Sequence, residues 1–231
     1  MTGIIGAMHI EVETIKSLME NKTSETISGV EYVKGTLHGK NIVIAACGIG
    51  KVAAAMCTQT MILKYSPDCI INTGVGGSLS TKLAIGDIAV AESLVQHDMD
   101  TSPLGDPVGL ISGINVVNIP ADKKAVDTLV KCVEKIDGIK SLKGVIASGD
   151  QFIASEEKKK FIVDNFGAIV CEMEGASIAQ VCYTNGVPFG VVRAVSDCAD
   201  GSSHMDYGEF LPIAAANAAK LIEYFVESCC N

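Results

Sequence analysis

Seven short β-rich runs alternate along this chain with segments of helical spacing, and this alternation constrains the fold more than any other feature. The runs read TGIIGAM, NIVIAACG, PDCIINTG, GDIAVAESLV, KGVIASGD, AIVCEME and FGVVRAVSD. Several are apolar throughout, which is typical of strands covered on both faces. Helical spacing occurs in segments 11–19, 51–64, 121–134, 156–165, 175–185 and 207–228. Together they predict an α/β fold with a central mixed, mostly buried sheet flanked by helices.

One stretch indicates that the sheet is not entirely parallel. GVEYVKGTLHGKNIVIA contains two strand-like runs joined by the Gly-containing turn HGKN, which predicts an antiparallel hairpin. A chain of 231 residues that is 48% hydrophobic can bury one sizeable core. The sequence contains no evident linker, repeat or low-complexity tract. We therefore predict one three-layer domain that spans residues 1–231.

The composition excludes several classes of partner. A net charge of −9 argues against nucleic acid, whose binding proteins carry a basic surface. No apolar run approaches the roughly 20 residues of a membrane span, and MTGIIGAMHIEVE lacks the basic region of a signal peptide. The nine cysteines lie mostly in apolar stretches without CxxC spacing, which is typical of core thiols in a reducing compartment. We expect a cytoplasmic protein that binds small molecules, with no membrane partner and no metal.

Small or polar residues cluster where the predicted strands end. The clusters are GAMHIE, CGIGK, NTGVGGS, SGDQF, CEMEG and RAVSDCAD. Ligands of open α/β sheets bind beyond the carboxyl ends of the strands. These strand ends therefore predict a single site.

Two glycine-containing motifs leave more than one interpretation open. GIGKVA, which contains Ile49, matches the dinucleotide pattern GxGxxA, but the acid at the required distance, Asp68, opens the next strand instead of ending it. Ala45 and Val52 replace the glycine and hydroxyl residues of a phosphate-binding loop, so we favour a tight turn beside another ligand. NTGVGGS is either a flexible turn or a close approach of backbone to ligand.

Acidic residues follow several strands. Glu11 follows the first, Glu172 and Glu174 follow AIVC, and Asp197 and Asp200 follow FGVVRAVS. Singly, each is a solvated strand end or, for Glu11, a favourable charge at a helix N-terminus. Together they would converge on one pocket, which suits a reaction that passes through a cation. In glycosidic cleavage one carboxylic acid protonates the leaving group and another carboxylate activates water.

A few other residue types refine this hypothesis. Arg193 is the only arginine and is expected to pair with one of the acids. Phosphate sites usually assemble several cationic donors, so water is the favoured nucleophile. Phe152 is either a core residue or a stacking platform for a base. His97 and Asp98 have no third ligand at metal spacing, which favours loop and supporting roles.

The chain resembles the 5'-methylthioadenosine/S-adenosylhomocysteine nucleosidases of the nucleoside phosphorylase superfamily. The motifs that carry the resemblance are GIIGAMHIEVE, CGIGKVAAA, PDCIINTGVGGSL, GDIAVAES with HDMD, SGDQFI, CEMEGASIAQVC, PFGVVRAVSDCAD and SHMDYGEF. The resemblance implies a homodimer that hydrolyses adenine nucleosides bearing a 5'-thio group, without metal or organic cofactor. It further implies a place in methionine salvage and in recycling S-adenosylmethionine by-products, with 5'-deoxyadenosine as a further candidate substrate.

The resemblance also implies roles for individual residues. Glu11 matches the general base that activates water, and Asp197 matches the general acid that protonates adenine N7. Arg193 is expected to help hold the water and Glu11. Apart from these implied roles, we expect Glu172 to be a supporting or rim residue that pairs with Arg193. The implied substrate-binding residues are Glu174 and Met173 at the ribose, Phe152 and Ile153 at adenine, Gly77 in the glycine turn, Ile49 and Glu172 at the rim, and Tyr207 near the 5' substituent.

The sequence departs from the family pattern at a few positions. Val75 stands where members often carry a serine that contacts the water, and Tyr207 stands where phenylalanine is common. The loop MDTSPLGDPVG is poor in aromatic residues, which leaves the preference for the 5' group open. The rival interpretations are a purine nucleoside phosphorylase, another nucleosidase such as one acting on futalosine, and an inert nucleoside-binding protein.

Overall fold

The computed structural model describes residues 1–199 and 203–229 and, within 203–207, the backbone alone. The strands are β1 (Thr2–Gly6), β2 (Glu20–Ile27), β3 (Val30–Leu37), β4 (Lys40–Ala46), β5 (Cys69–Asn72), β6 (Val75–Ser78), β7 (Ile88–Gln96), β8 (Ile119–Pro120), β9 (Ser141–Ser148), β10 (Ala168–Glu172) and β11 (Phe189–Asp197). The helices are α1 (His9–Leu18), α2 (Lys51–Tyr65), α3 (Lys123–Val133), α4 (Glu156–Phe166), α5 (Gly175–Asn185) and α6 (Ser203–Ser228). The predicted α/β class is confirmed.

The strands form one mixed sheet in the order β2-β3-β4-β1-β5-β11-β6-β10-β9-β7-β8. Strand β11 is long enough to pair with β5 through its first half and with β6 through its second half, and it also pairs antiparallel with β7. The pairings β11–β6, β6–β10, β10–β9, β9–β7 and β7–β11 therefore close into a ring. This closure brings the ends of strands far apart in sequence to one place.

Helices cover both faces of the sheet. Helices α1, α3 and α6 pack together on one face, and α2 packs against α5 on the other. The core beneath the first layer includes Ile4, Val12 and Leu129, whereas the core beneath the second includes Ile5, Ala54 and Ile178. Because Ile4 and Ile5 are consecutive on β1, their side chains enter opposite cores, which explains why the strand is apolar throughout.

Local signals account for several helix ends. The Asp122 side chain accepts the Ala125 N–H at 2.8 Å and begins α3. Ser155 caps α4, which ends at Gly167 with a φ of 61°. Helix α5 ends at Gly186 with a φ of 67°, a left-handed conformation that glycine adopts without strain. The predicted hairpin is present as β3 and β4, joined by a two-residue turn because Leu37 pairs with Lys40.

Two elements differ from the sequence-based expectation. Strand β2, ENKTSETI, was missed because it is exposed along almost its whole length and has no apolar alternation. The flexible-turn interpretation of NTGVGGS is wrong, since Val75–Ser78 form the buried strand β6 between β11 and β10. A Cβ on Gly76 would lie 2.7 Å from the Val170 side chain, so glycine permits this close strand contact.

Among the described residues, no helix is both long and apolar enough to cross a membrane.

Candidate active site

A cavity of about 330 Å³ opens at the carboxyl ends of the strands. All of the predicted strand-end clusters contribute to its wall, because the closed sheet brings them together. The lining residues are Ala7, Met8, Glu11, Ile49, Val75, Gly76, Gly77, Gln151, Phe152, Ile153, Cys171, Glu172, Met173, Glu174, Ser196 and Asp197. The wall therefore combines apolar side chains with four acidic residues.

Glu11 lies in the first turn of α1 and is 2% exposed. Its Oε2 accepts the N–H groups of Ala7 at 2.7 Å and Met8 at 2.9 Å, and its Oε1 accepts the N–H of Val75 at 3.1 Å. Burial raises the pKa of Glu11, and this effect outweighs the opposing hydrogen bonds and the attraction of Arg193. A carboxylate held in this way has a raised affinity for a proton, as a general base requires.

Asp197 ends β11 on another side of the cavity and is 2% exposed. Its Oδ1 accepts the Ser196 hydroxyl at 2.9 Å, and its Oδ2 accepts the N–H of Ala199 at 3.0 Å. A Cβ on Gly77 would lie 2.9 Å from Asp197 Oδ2, so the glycine leaves room for the carboxylate. The sequence interpretation missed Ser196, although its position directly before an acid at a strand end was the available signal.

Arg193 is fully buried and pairs with Glu172, as predicted. Its other guanidinium bonds go to Asn72 Oδ1 at 2.6 Å and to the Val192 carbonyl at 2.8 Å. Arg193 acts on Glu11 through its charge, which lowers the pKa of that carboxyl. Arg193 therefore organises the buried acids instead of presenting a free cation to a ligand.

Glu172 is held by neighbours on every side. Its Oε1 accepts the Ser148 hydroxyl, and its Oε2 accepts the N–H groups of Glu174 at 3.0 Å and Gly175 at 2.7 Å at the start of α5. The pairing with Arg193 completes this shell. Although Glu172 borders the cavity, its oxygens are engaged with protein groups, which fits the supporting role and not direct substrate contact.

Glu174 faces the GIGKVA turn. Its Oε1 accepts the N–H of Gly50 at 2.8 Å, and its Oε2 lies 3.9 Å from the Arg193 guanidinium. Burial and repulsion by Glu172 raise the pKa of Glu174 to about 7, in spite of the attraction of Arg193. The N–H groups at the N-terminus of α2 thus bond to protein carboxylates. This supports the interpretation of GIGKVA as a tight turn and argues against a dinucleotide-binding site.

The raised pKa of Glu174 predicts a pH-dependent stability effect. An unfolded glutamate loses its proton near pH 4.5 and the folded Glu174 near pH 7, so its stabilising contribution is full below pH 4.5 and is lost as the pH rises through 7. Glu174→Gln keeps an acceptor for Gly50 and carries no charge. We expect the free energy of unfolding of Glu174→Gln, measured with urea, to exceed that of the wild type by more at pH 8 than at pH 5. An equal difference at both pH values would contradict the raised pKa.

The apolar residues predicted to bind substrate lie at the cavity mouth or in its wall. Phe152 is 47% exposed, which excludes the core interpretation, and Ile153 beside it is buried. Ile49 is exposed at the rim of the turn, and Met173 separates the two glutamates in the wall. The side chain of Tyr207 lies outside the described residues. Within the described chain, no group of three or more His, Cys, Asp or Glu side chains could hold a metal ion.

Comparison with known proteins is consistent across sequence and structure. The family model of the phosphorylase superfamily matches residues 2–227. The 5'-methylthioadenosine/S-adenosylhomocysteine nucleosidase of Shewanella halifaxensis is 42% identical over 221 residues, which are 95% of this chain and 96% of that protein. The nucleosidase of the same name from Neisseria meningitidis, solved with methylthio-immucillin-A, is 35% identical with a TM-score of 0.96 and 99% coverage of both chains. Futalosine hydrolase of Helicobacter pylori is 39% identical with a TM-score of 0.93, covering 99% of this chain and 97% of that one.

Proposed function

This chain belongs to the 5'-methylthioadenosine/S-adenosylhomocysteine nucleosidases of the phosphorylase superfamily, and we propose that it hydrolyses the N-glycosidic bond of both nucleosides to adenine and the 5'-thioribose product. Among the members of that superfamily, the choice between water and phosphate as nucleophile defines the reaction. The residues of the cavity support water.

The observation that carries this proposal is the placement of two acids along β6. Glu11 bonds to the N–H of Val75, and Asp197 lies against Gly77, two residues further along the same strand. Residues two apart on a strand are separated by about 7 Å. The two carboxylates are therefore anchored at neighbouring positions on one face of the strand, where a general acid and a general base can act on the same bound nucleoside.

The two acids then have different tasks. Glu11, with its raised pKa, takes a proton from water as the water attacks the anomeric carbon. Asp197 gives a proton to N7 of adenine, so that the base leaves as a neutral molecule. Phe152 stacks on the adenine ring, and the backbone of Ile153 contacts its edge. This pairing of a stacking platform with protonation at N7 suits a purine leaving group.

Glu174 and Met173 hold the ribose. The Glu174 carboxylate accepts hydrogen bonds from the sugar hydroxyls, and its negative charge stabilises the positive charge that develops on the sugar ring. Met173 forms the apolar wall under the sugar. Because the pKa of Glu174 is raised to about 7, the carboxylate that this role requires becomes more populated as the pH rises from 6 to 8.

Water is the nucleophile because no guanidinium is left to bind phosphate. The single arginine directs its donors to Glu172, Asn72 and the Val192 carbonyl. Incubation with 5'-methylthioadenosine in the presence and absence of phosphate tests this choice. We expect equal rates of adenine release and free 5'-methylthioribose in both. A phosphate requirement, with a ribose-1-phosphate product, would show that the chain is a phosphorylase.

A second candidate substrate is futalosine, favoured by the likeness to the Helicobacter pylori futalosine hydrolase. Competition between futalosine and 5'-methylthioadenosine in one assay gives the ratio of their kcat/KM values. The same assay with S-adenosylhomocysteine and 5'-deoxyadenosine as competitors ranks the kcat/KM values for different 5' groups. Tight adenosine binding without release of adenine would instead indicate an inert nucleoside-binding protein.

We also propose that the chain forms a homodimer through α2. Val52, Met56 and Leu63 are 71%, 53% and 75% exposed and lie on one stripe of that helix, with Ile49 before it and Tyr183 on the neighbouring α5. Met56→Glu is expected to convert the dimer into a monomer, as measured by light scattering, because it would bury a charge in the contact. Leu18→Glu on α1, in the opposite helical layer, is the matched control. If Met56→Glu still formed a dimer of unchanged stability, the contact between the two subunits would not involve this face of α2.

The names of this chain's relatives support 5'-methylthioadenosine and S-adenosylhomocysteine as substrates. We propose a cytoplasmic enzyme that acts on them in methionine salvage and in removing S-adenosylmethionine by-products. Adenine nucleosides are its partners, and neither nucleic acid nor membrane is expected to bind a chain of net charge −9. The proposed domain extends over residues 1–231.

A further inference from the structure

Three side chains outside the cavity join the loops that line it. Asp98 follows β7, Asp150 follows β9, and Lys51 begins α2 after β4. Lys51 Nζ donates to Asp98 Oδ1 at 2.6 Å, Asp98 Oδ2 accepts the N–H of Asp150 at 2.9 Å, and Asp150 Oδ1 accepts the N–H of Lys51 at 2.8 Å. These bonds form a closed cycle of Lys51, Asp98 and Asp150, which we name the Lys51 ring.

The Lys51 ring lies directly behind residues that contact the proposed substrate. Gly50, which precedes Lys51, donates its N–H to Glu174. Asp150 precedes residues 151–153, which line the cavity where adenine is proposed to bind. The ring residues themselves are not in the cavity wall. The ring therefore connects the carboxylate at the ribose with the loop at the base.

The Lys51–Asp98 bond is the strongest of the ring, because it is partly buried whereas the two bonds of Asp150 are exposed. The side chains of Lys51 and Asp98 are only 19% and 16% exposed, and Lys51 Nζ also donates to Gln96 Oε1 at 3.1 Å. Burial raises the pKa of Asp98, but Lys51 and the N–H of Asp150 together hold it below the ordinary value, so the carboxylate is charged. Charge-assisted hydrogen bonds with little solvent access are stronger than neutral ones.

An ion pair between strands β7 and β9 provides a contrast to the Lys51–Asp98 pair. Glu92 on β7 and Lys143 on β9 lie 3.5 Å apart, with side chains 55% and 44% exposed. Exposed pairs of this kind contribute little to stability. Glu92 and Lys143 therefore serve as controls for removing charge from these strands without touching the ring.

We propose that the Lys51 ring sets the position of the base-binding loop relative to Glu174, so that Lys51, Asp98 and Asp150 are positioning residues for the cleavage reaction. This inference rests on the proposed function. Glycosidic cleavage needs base and sugar to be held in one relative orientation while the bond between them breaks, and small displacements of binding groups lower the rate. The ring supplies that orientation through contacts between loops that follow three different strands.

Asp98→Asn tests the proposal because an amide offers one oxygen where the ring needs two acceptors. One bond must be lost, and the loop 150–153 is expected to loosen. We expect the Kd for adenine, measured by calorimetry, and the KM for 5'-methylthioadenosine to rise about tenfold, which corresponds to ~1.4 kcal/mol. The value of kcat should fall less. Lys51→Met should raise the same Kd and KM by a similar factor. The double variant should raise them no further than the more strongly affected single variant does, because both substitutions break the same cycle.

Glu92→Gln and Lys143→Met are expected to keep wild-type values for adenine and for 5'-methylthioadenosine. A thermal melt of each variant separates positioning from unfolding, and Lys51→Gln replaces Asp98→Asn if that variant does not fold. Wild-type affinity for adenine in folded Asp98→Asn and Lys51→Met would overturn the positioning role. The proposed function has a separate test: it would be overturned if the wild-type enzyme released no adenine from 5'-methylthioadenosine.

Discussion

Replacing Asp197 with asparagine is expected to lower kcat on 5'-methylthioadenosine about 10²- to 10⁴-fold, the usual contribution of a general acid. Asparagine cannot donate a proton to N7 of the leaving base. The fold should survive, because the amide oxygen can still accept the N–H of Ala199 and the Ser196 hydroxyl can turn to accept from the amide nitrogen. Steady-state rates of adenine release and a thermal melt measure the two effects.

The leaving group provides a sharper test of the same residue. A 5'-thioriboside whose leaving group departs as a stable anion, such as nitrophenolate, needs no protonation. Asp197→Asn should therefore lose much less activity on this substrate than on 5'-methylthioadenosine. Equal losses on both substrates would mean that Asp197 acts by positioning and not as an acid.

Replacing Glu11 with glutamine is the second change with a large expected effect. Without a carboxylate to take the proton from water, kcat should fall about 10²- to 10⁴-fold on the thioriboside as well as on 5'-methylthioadenosine. The amide nitrogen would face one of the backbone N–H groups that Glu11 now accepts, at Ala7, Met8 or Val75, and such an unmade buried bond costs about 1–3 kcal/mol.

Substrate binding separates loss of the base from loss of structure. Glu11→Gln should still bind 5'-methylthioadenosine with a Kd within a few-fold of the wild-type KM, because adenine and ribose contact other residues. Glu157→Gln, an exposed change in the first turn of α4, is a suitable control. Near-wild-type turnover by folded Glu11→Gln would remove Glu11 from the proposed mechanism.

Much of the architecture could be predicted because its signals are local. Helix α5 was predicted with the bounds that the structure has, since its end is marked by Gly186 and its apolar residues recur at helical spacing. The turn between β3 and β4 was likewise visible in HGKN. Strand β2 was not predictable in this way, because an exposed edge strand forms by pairing with β3 and needs no apolar pattern.

The site was only partly predictable for the same reason. Acids at strand ends indicated which residues would converge, and Glu11, Glu174 and Asp197 do line one cavity. Ser148 and Asn72, which bond to Glu172 and Arg193, were missed because nothing near them in the sequence distinguishes them from other polar strand residues. Ser196 was missed although it directly precedes Asp197. Asp98 was assigned a supporting role, but its bond to Lys51 joins positions separated by 47 residues.

The sequence by itself determined the alternation of strands and helices, the class of the fold and the acids that end its strands, because apolar period, helix caps and turn residues act over a few positions. The pairing of Glu172 with Arg193 was expected, but only the tertiary structure decided that Ser148 and the start of α5 also hold Glu172 in place. It also decided that the GIGKVA turn directs its N–H to a carboxylate 124 residues away. Such contacts arise when the long strand β11 closes the sheet, and no local pattern specifies partners so far apart in sequence.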